Sequence, residues 1–249
     1  MKIHHLQGYI QNIYLVEQND SLMLLDGCCR CDINSLKGYI TQELNRPITD
    51  LKVVVVTHMH PDHAGAADKL RRLTGCIIIS SNKHATWYQG IVGLIMFLTD
   101  LVLTLWVARR MGKPIKNVWY PRKLKIDLML NDGDSIPDFK EWIILETPGH
   151  TNCDLSVLHL PSKTIYVADL VIKIKKMFIS PFPIFHPNKY KNSLKKIDTL
   201  NVDSLLLAHG GEVAIKDMQL LNLIKGIPDK PKTHWRATRS KIKKLLDRF

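Results

Sequence analysis

The stretch that decides the fold is VVVVTHMHPDHAGAA, residues Val53–Ala67. Its four consecutive valines predict a short strand, Val53–Val56, that is buried on both faces. Metal-binding side chains follow the strand at once, namely His58, His60, Asp62 and His63. Imidazole and carboxylate groups are ligands for Zn²⁺ and also for iron or manganese. The stretch therefore predicts a metal site at the end of a buried strand.

The spacing of these four side chains divides them between two neighbouring positions. In an extended segment alternate residues point the same way, so His58 and His60 project together beyond the strand. Pro61 then turns the chain, and we expect Asp62 to cap the N-terminus of the helix that follows. Asp62 and His63 then face a second position beside the first. Two adjacent metal sites account for all four ligands.

Three later residues share this setting, because each comes shortly after a predicted apolar strand. They are His150 after Trp142–Glu146, Asp169 after Thr164–Ala168, and His209 after Ser204–Leu207. One such coincidence would carry little weight. Four strands that all end in ligand residues indicate a common edge of the sheets, where sites are usually built.

Elsewhere the chain alternates strand and helix patterns. Further strands are expected at Ile10–Glu17, Leu22–Leu25, Cys76–Ser80 and Leu155–Leu160. Helices are expected at Ile33–Leu44, Ala64–Leu73, Lys189–Leu200, Val213–Lys225 and His234–Asp247. Hairpins and crossovers together indicate an α/β layered fold with mixed sheets.

Composition indicates a globular, cytoplasmic protein. Hydrophobic residues make up 45% of the chain and charged residues 23%, which is ordinary for a globular protein. The N-terminal MKIHHLQGY lacks the apolar region of a signal peptide. The five cysteines are odd in number, and three of them crowd together at Cys28, Cys29 and Cys31, so a disulfide framework is not expected. We interpret these thiols as buried or incidental rather than as a metal site.

The net charge of +12 comes partly from the C-terminal end, where residues 225–249 contain nine Lys/Arg. We expect a basic helical tail over about 228–249 that is solvated. A patch for anionic lipid is the alternative. Nucleic acid is not an expected partner, because no nucleic-acid-binding motif accompanies the charge.

One segment, IVGLIMFLTDLVLTLWVA at Ile91–Ala108, departs from the pattern. It reaches the lower limit for a membrane span and is followed by Arg109, Arg110 and Lys113. Asp100 near its middle, and the soluble fold that resumes on both sides, argue against a span. We expect a helical insertion at about 87–125, with a break near Thr99–Asp100 as an alternative.

The insertion has three candidate roles, which the sequence leaves open. The first role is a cap over the site. The second is a homodimer interface through 91–108, and the third is a peripheral membrane contact. A less apolar stripe runs along the helix at Gly93, Asp100, Thr104 and Ala108.

The order THMHPDHAG, PGHT, an aspartate after a strand and a histidine before glycine resembles the metallo-β-lactamase superfamily of hydrolases over nearly the whole chain. LLDG also resembles the family's strand and turn near the site, with Asp26 as its acidic residue. The resemblance implies one domain over 1–249, a four-layer αββα sandwich of two mixed β-sheets with outer helices. It implies that His58, His60 and His150 hold one metal, that Asp62, His63 and His209 hold a second, and that Asp169 bridges both.

The implied enzyme is a binuclear hydrolase with two divalent metal ions, expected to be Zn²⁺, with iron or manganese as alternatives. In such an enzyme a hydroxide shared by the metals would attack the substrate, and Asp62 would be the catalytic residue that orients it and accepts its proton. Because β-lactamases of the superfamily lack an aspartate at the position of Asp169, an antibiotic substrate is not expected. We predict a small-molecule ester, lactone or thioester with an apolar acyl portion, bound between the insertion and a wall formed by Phe178, Phe182 and Phe185.

Three alternatives remain. The first is a mono-iron enzyme like persulfide dioxygenase, which uses part of the ligand set. The second is a glyoxalase II-like enzyme, weakened because LVIKIKKMFISPFP after Asp169 lacks the Cys-Gly-Arg element of those relatives. The third is a membrane-peripheral lipid or phosphodiester hydrolase, suggested by the apolar insertion and the basic tail.

Overall fold

The computed structural model describes residues 1–233, which contain fourteen strands and six α-helices. The first sheet has the order β1-β2-β3-β4-β5-β6. Its strands are β1 (Lys2–Gln7), β2 (Asn12–Gln18), β3 (Ser21–Leu24), β4 (Leu51–Val55), β5 (Ile77–Ser80) and β6 (Leu128–Met129).

The later strands are β7 (Ser135–Ile136), β8 (Phe139–Glu146), β9 (Leu155–His159), β10 (Thr164–Tyr166), β11 (Ile172–Ile174), β12 (Met177–Ile179), β13 (Ser204–Leu207) and β14 (Gly211–Ala214). The second sheet has the order β14-β13-β10-β9-β8-β7, and β11 and β12 form a separate hairpin. The helices are α1 (Ile33–Gly38), α2 (Pro61–Ala64), α3 (Ala67–Thr74), α4 (Gly90–Arg110), α5 (Pro187–Asp198) and α6 (Leu220–Lys225).

Both sheets are mixed. In the first, β1, β2 and β3 are antiparallel neighbours, whereas β3, β4, β5 and β6 run parallel. In the second, β10 and β13 are parallel and the remaining neighbours are antiparallel. Parallel neighbours need crossover connections. These connections place α1 between β3 and β4, and α2 and α3 between β4 and β5.

The valine run shows how one strand joins two layers. Val53 and Val55 pack in the core between the two sheets, while Val54 packs in the core under the outer helices. A strand whose neighbours and both faces are covered has no place for a polar side chain. This is why every residue of the run is apolar.

Three hydrophobic cores separate the four layers. Trp142 and Tyr166 of the second sheet fill the space between the sheets. Leu36 of α1 and Leu70 of α3 cover the outer face of the first sheet. Leu194 of α5 covers the outer face of the second sheet. The predicted αββα sandwich of two mixed sheets is confirmed.

Some predicted element boundaries are wrong. The expected helix Val213–Lys225 begins as β14, in which Val213 pairs with Leu205, and only Leu220–Lys225 is α-helical. The reason is the turn before it, where Gly210 and Gly211 adopt φ of 145° and 80°, values that favour glycine. The expected helix His234–Asp247 and most of the predicted basic tail lie outside the described residues.

The helix after the histidine motif also differs from the prediction. His60, and not Asp62, is the N-cap of α2, and Pro61 occupies the first helical position. Asp62 lies within the first turn instead, and its Oδ2 lies 3.2 Å from Nε2 of His209. The helix is interrupted between α2 and α3, because the Ala66 N–H donates to the carbonyls of Gly27 and Cys28 at 3.0 and 2.9 Å.

The apolar insertion forms one continuous helix, α4, of 21 residues. The alternative of a break near Thr99–Asp100 is wrong, because the helix runs without interruption from Gly90 to Arg110. The helix buries a narrow face at Gly93, Phe97, Leu101, Thr104 and Ala108. In the described part of the chain, α4 alone is long and apolar enough to cross a membrane, and 33% of that stretch is buried within the protein.

Gly93 sets how closely α4 approaches the protein. A methyl group at this position would lie 2.2 Å from the Tyr88 carbonyl carbon. Gly→Ala within a helix normally stabilises by about 1 kcal/mol. Here we expect Gly93→Ala to lower the free energy of unfolding by about 1–3 kcal/mol, because backbone must move.

Thermal and urea unfolding would measure this effect. Val92→Ala, at the exposed neighbouring position, is the matched control, with an expected change within about 0.5 kcal/mol. A Gly93→Ala protein as stable as the wild type would show that the close approach of α4 is not needed.

Candidate metal centre

All seven predicted ligands meet at one edge of the sandwich. His58, His150, Asp169 and His209 follow the ends of β4, β8, β10 and β13, respectively. Six of the seven are buried, and His209 is partly exposed. The convergence expected from the strand ends is therefore present in the structure, while the role of each residue as a ligand stays a prediction.

The first group consists of three imidazoles. The Nε2 atoms of His58 and His150 each lie 3.0 Å from Nδ1 of His60. These nitrogens and a carboxylate oxygen of Asp169 all lie within 4.8 Å of one another. Three nitrogens and one oxygen facing a common point form the donor set of a tetrahedral divalent metal.

The second group lies beside the first. The Asp62 Oδ2 atom is 3.2 Å from His209 Nε2 and 3.5 Å from His63 Nε2. The three ligand atoms lie within 4.8 Å of one another. This group has one carboxylate and two imidazoles, which again suits zinc, iron or manganese.

Asp169 turns one oxygen towards each group. Its Oδ2 lies 3.4 Å from His150 Nε2, in the first group. Its Oδ1 lies 3.2 Å from His63 Nε2 and 3.4 Å from His209 Nε2, in the second. This orientation agrees with the bridging role that the resemblance implies for Asp169, which stays a prediction.

The donor atoms of the second group fit a bound cation. Nε2 of His63 and Oδ1 of Asp169 are buried and form no hydrogen bond. Buried polar atoms are normally hydrogen-bonded, so atoms such as these call for another partner. Both point into the second group, where a cation would satisfy them.

Asp26 holds the imidazole of His63, in the second ligand group, in place. Its Oδ2 accepts hydrogen bonds from His63 Nδ1 at 2.6 Å, Thr57 Oγ1 at 2.7 Å and Tyr166 OH at 2.9 Å. Its Oδ1 accepts from the backbone N–H groups of Gly27 and Thr57. A carboxylate on Nδ1 leaves Nε2 of His63 free as the ligand atom and makes that imidazole a stronger donor.

The other imidazoles are oriented in the same way. The Nδ1 atom of His150 donates to the Pro183 carbonyl at 2.6 Å, and that of His209 to the Ile10 carbonyl at 3.1 Å. The Nδ1 atom of His58 lies 3.1 Å from the Thr57 hydroxyl, which itself donates to Asp26. The tautomer that these partners select presents an unprotonated Nε2 to the site.

Electrostatics separate the two groups. Burial and the neighbouring imidazoles of the site hold the pKa of His58 well below its usual range and lower that of His60 to about 3. Burial also disfavours a charged His63, but Asp169, Asp62 and Asp26 raise its pKa well above the ordinary value. In return, His63 and His209 hold the pKa of Asp169 well below its usual range despite burial. Burial thus favours neutral imidazoles at His58 and His60, whereas the carboxylates favour positive charge at the second group.

Sequence reasoning missed Asp100 as part of the site. Its Oδ2 lies 3.7 Å from Nε2 of His60, the buried ring nitrogen that faces away from the ligand cluster and has no hydrogen bond. The Tyr88 hydroxyl donates to the same oxygen at 2.7 Å. Burial raises the pKa of Asp100 to about 7. The only signal in the sequence was an acidic residue within an apolar helix.

The interpretation of the N-terminal cysteines as incidental needs one qualification. Cys29, Cys31 and Asp32 bring three potential ligand atoms within 4.8 Å of one another. Burial raises the pKa of the Cys29 thiol well above its ordinary value, whereas the hydrogen bond with Cys29 lowers the pKa of the Cys31 thiol.

A cavity of about 1130 Å³ opens onto the centre. Its floor includes His60, Asp62, His150, Asp169 and His209. Its apolar wall consists of Leu103, Trp106, Val107, Met111, Ile172 and Phe182. The insertion therefore lines the cavity, as expected for a cap.

The predicted phenylalanine wall is only partly correct. Phe182 lines the cavity, but Phe178 and Phe185 do not. Phe185 packs against Trp87 with ring centroids 4.8 Å apart, and the Lys173 ammonium lies 5.6 Å from the centre of the Phe178 ring.

Comparisons with known proteins agree with this architecture. The model of the "Metallo-beta-lactamase superfamily" matches residues 6–209. The chain is 23% identical to the probable metallo-hydrolase YflN of Bacillus subtilis, over 84% of this chain and 83% of that protein. It is 24% identical to the probable metallo-hydrolase YqjP of the same organism, over 80% of this chain and 66% of that protein.

Solved structures share the fold. The protein ST1585 from Sulfolobus tokodaii is 19% identical, with a TM-score of 0.64 over 90% of this chain and 85% of that one. TTHA1429 from Thermus thermophilus is 18% identical, with a TM-score of 0.66 over 87% and 74%. TTHA1623, solved in a di-iron-bound form, is 18% identical, with a TM-score of 0.57 over 92% and 99%.

The family match and the metallo-hydrolase relatives, together with the cluster of histidines and aspartates, identify a metal-dependent hydrolase. The chain belongs to the metallo-β-lactamase superfamily. The predicted family, fold class and class of enzyme are confirmed at this level.

Metal content tests the two-group arrangement. We expect purified wild-type protein to hold about two metal ions per chain, and His209→Ala to hold about one, because the variant removes a ligand from the second group alone. Inductively coupled plasma mass spectrometry measures the stoichiometry. His186→Gln is the control, since His186 belongs to neither ligand group, and it should keep the wild-type content. One ion per chain in the wild type would contradict a binuclear centre.

The contribution of Asp100 to the centre can be tested by measuring the metal affinity of the first ligand group. We expect Asp100→Asn to weaken metal binding about tenfold, because outer carboxylates orient ligating histidines and raise their basicity. Competition with a chromophoric chelator would measure the loss. Asp68→Asn, which alters an ion pair with Arg71 and Arg72 outside the ligand groups, should bind as the wild type does. If Asp100→Asn bound metal as tightly as the wild type, Asp100 would have no role in the metal centre.

Proposed function

We propose that the protein uses two divalent metal ions, with Zn²⁺ expected, to hydrolyse an ester, lactone or thioester that has an apolar acyl portion. The observation that carries this proposal is the cavity, because five of the seven predicted ligands and an apolar wall line one opening. Ligand sites typically pair such walls with a few convergent polar groups.

Both ligand groups support a binuclear centre. One ion would be held by His58, His60 and His150. The other would be held by Asp62, His63 and His209. Asp169 would contact both ions. Ions bound here supply Lewis acidity and a hydroxide nucleophile near neutral pH. The di-iron form of TTHA1623, which shares the fold, is consistent with two ions and keeps iron as an alternative to zinc.

Asp62 is the residue proposed to handle the proton. Although burial opposes its charge, His63 and His209 lower the pKa of its carboxyl group, so it is ionised at neutral pH. It also lines the cavity. An ionised carboxylate at this position is able to orient a water molecule and to accept its proton.

The apolar wall supports the acyl part of the proposal. Leu103, Val107 and Trp106 come from the inward and lateral faces of α4, opposite Ile172 and Phe182. A wall of this kind favours a hydrocarbon chain next to the bond that is cleaved. No Ser or Cys nucleophile is required.

A phosphodiester is the second candidate. Arg110, Lys173 and Lys175 also line the cavity. Cations suit a phosphate group, which carries charge that esters and lactones lack. The mono-iron alternative is less well supported, because the second ligand group is complete in the structure.

A panel of substrates separates these possibilities. We expect hydrolysis of acyl p-nitrophenyl esters, lactones or acyl thioesters, with kcat/KM rising from acetyl to octanoyl, and no cleavage of bis-p-nitrophenyl phosphate. Treatment with a strong chelator should abolish activity, and added Zn²⁺ should restore it. Full activity in the metal-free protein, or oxygen uptake with one iron per chain, would contradict the proposal.

A variant tests the apolar wall directly. Leu103→Ala should lower kcat/KM for the octanoyl ester by about tenfold relative to the acetyl ester, since it removes apolar contact with the longer chain only. Val92→Ala lies on the exposed face of α4, outside the cavity, and should leave the ratio unchanged. An unchanged ratio in Leu103→Ala would place the acyl chain elsewhere.

A further inference from the structure

The outward face of α4 is an unpartnered apolar strip. Its exposed side chains recur every three or four residues, which puts them on one side of the helix. They are Ile91, Ile95, Leu98, Val102 and Trp106. Ile91 is 79% exposed and Val102 is 66% exposed. The strip is about 22 Å long at 1.5 Å per residue, and contiguous apolar strips of this kind mark interaction sites.

The border of this strip is basic. Residues 87–125 contain seven Lys/Arg and one acidic residue, Asp100. Asp100 is turned inward, where it accepts the Tyr88 hydrogen bond and faces His60. Exposed cations remain at Arg109, Arg110, Lys116, Lys123 and Lys125. We call the strip and these cations the α4 surface.

The α4 surface therefore lacks an exposed carboxylate within residues 87–125. A two-fold dimer would place the same patch on both sides of the interface and bring its cations together. An anionic bilayer offers hydrocarbon to the strip and phosphate to the cations at the same time. Charge complementarity thus favours lipid over a second copy of the chain.

Two tryptophans strengthen this choice. Trp106 is 54% exposed and Trp119 is 55% exposed. The guanidinium carbon of Arg110 lies 5.1 Å from the centre of the Trp106 ring. Amphipathic indole rings next to cations are typical of the membrane–water interface.

We propose that the α4 surface docks the protein onto anionic lipid bilayers, with α4 lying along the membrane surface. Trp106 and Arg110 belong to this surface and also line the cavity. Docking therefore brings the mouth of the cavity beside the bilayer. The contact does not depend on which bond the enzyme cleaves, and binding is measured without substrate.

Vesicle sedimentation with the full-length protein tests the proposal. We expect binding to vesicles of equal parts phosphatidylcholine and phosphatidylglycerol, little binding to phosphatidylcholine alone, and release as salt is added. Ile91→Ser with Val102→Ser should lower the partition coefficient about tenfold, because it removes buried apolar area on the membrane side. Arg109→Glu with Lys116→Glu should lower it at least about tenfold.

The control variants change exposed side chains that lie outside the α4 surface. Leu221→Ser removes an exposed apolar side chain from α6, and Lys140→Glu reverses an exposed charge on β8. Both should bind vesicles like the wild type. Thermal unfolding confirms that all variants are folded, which is expected because each changed side chain is exposed.

Three outcomes would overturn the proposal. The first is equal binding to neutral and anionic vesicles. The second is wild-type vesicle binding by both the Ile91→Ser, Val102→Ser variant and the Arg109→Glu, Lys116→Glu variant. That result would assign lipid binding to another basic region, such as residues 234–249. The third is a stable dimer in sedimentation velocity that Ile91→Ser with Val102→Ser dissociates, together with no vesicle binding by the wild type.

Discussion

The buried carboxylate of Asp26 ties the two sheets and the metal centre together. It stands just after β3 and accepts hydrogen bonds from Thr57 and His63 of the motif and from Tyr166 of the second sheet. A buried carboxylate is tolerated only when its acceptor capacity is used, and five donors use it here. The position of His63, and through it the second ligand group, therefore depends on the packing of both sheets.

The parts of the fold that follow from local chemistry were predictable from the sequence. A fully apolar strand next to Pro and His residues predicts a buried strand that ends in a site, because ligand spacing and strand burial are local properties. The αββα architecture and the set of seven residues followed from the same motifs together with family resemblance. The layering that Val53, Val54 and Val55 show in the structure is the physical basis of the confirmed architecture, while the ligand roles of the seven residues stay a prediction.

Other features depend on contacts between distant segments. Val213 becomes part of β14 because Leu205 pairs with it, and α2 ends because Ala66 donates to the Gly27–Cys28 turn. Asp62 gives up its expected capping role because Pro61 starts the helix and the carboxylate faces the ligand cluster. Asp100 lies within an apolar helix because its carboxylate contacts Tyr88 and faces His60, which belong to other segments. None of these partners lies within the local pattern that suggested the original prediction.

Helix α4 has a proposed function on each of two faces, and its length links them. One face presents Asp100 to His60 and an apolar wall to the cavity, while the other presents the exposed strip. Each residue advances a helix by about 100°. Inserting or deleting one residue before Asp100 would therefore rotate the carboxylate away from His60 and turn the strip out of line at the same time. The helix tolerates changes of side chain at exposed positions, but its residue count is under constraint, so shortening or lengthening it by a single codon would damage both faces at once.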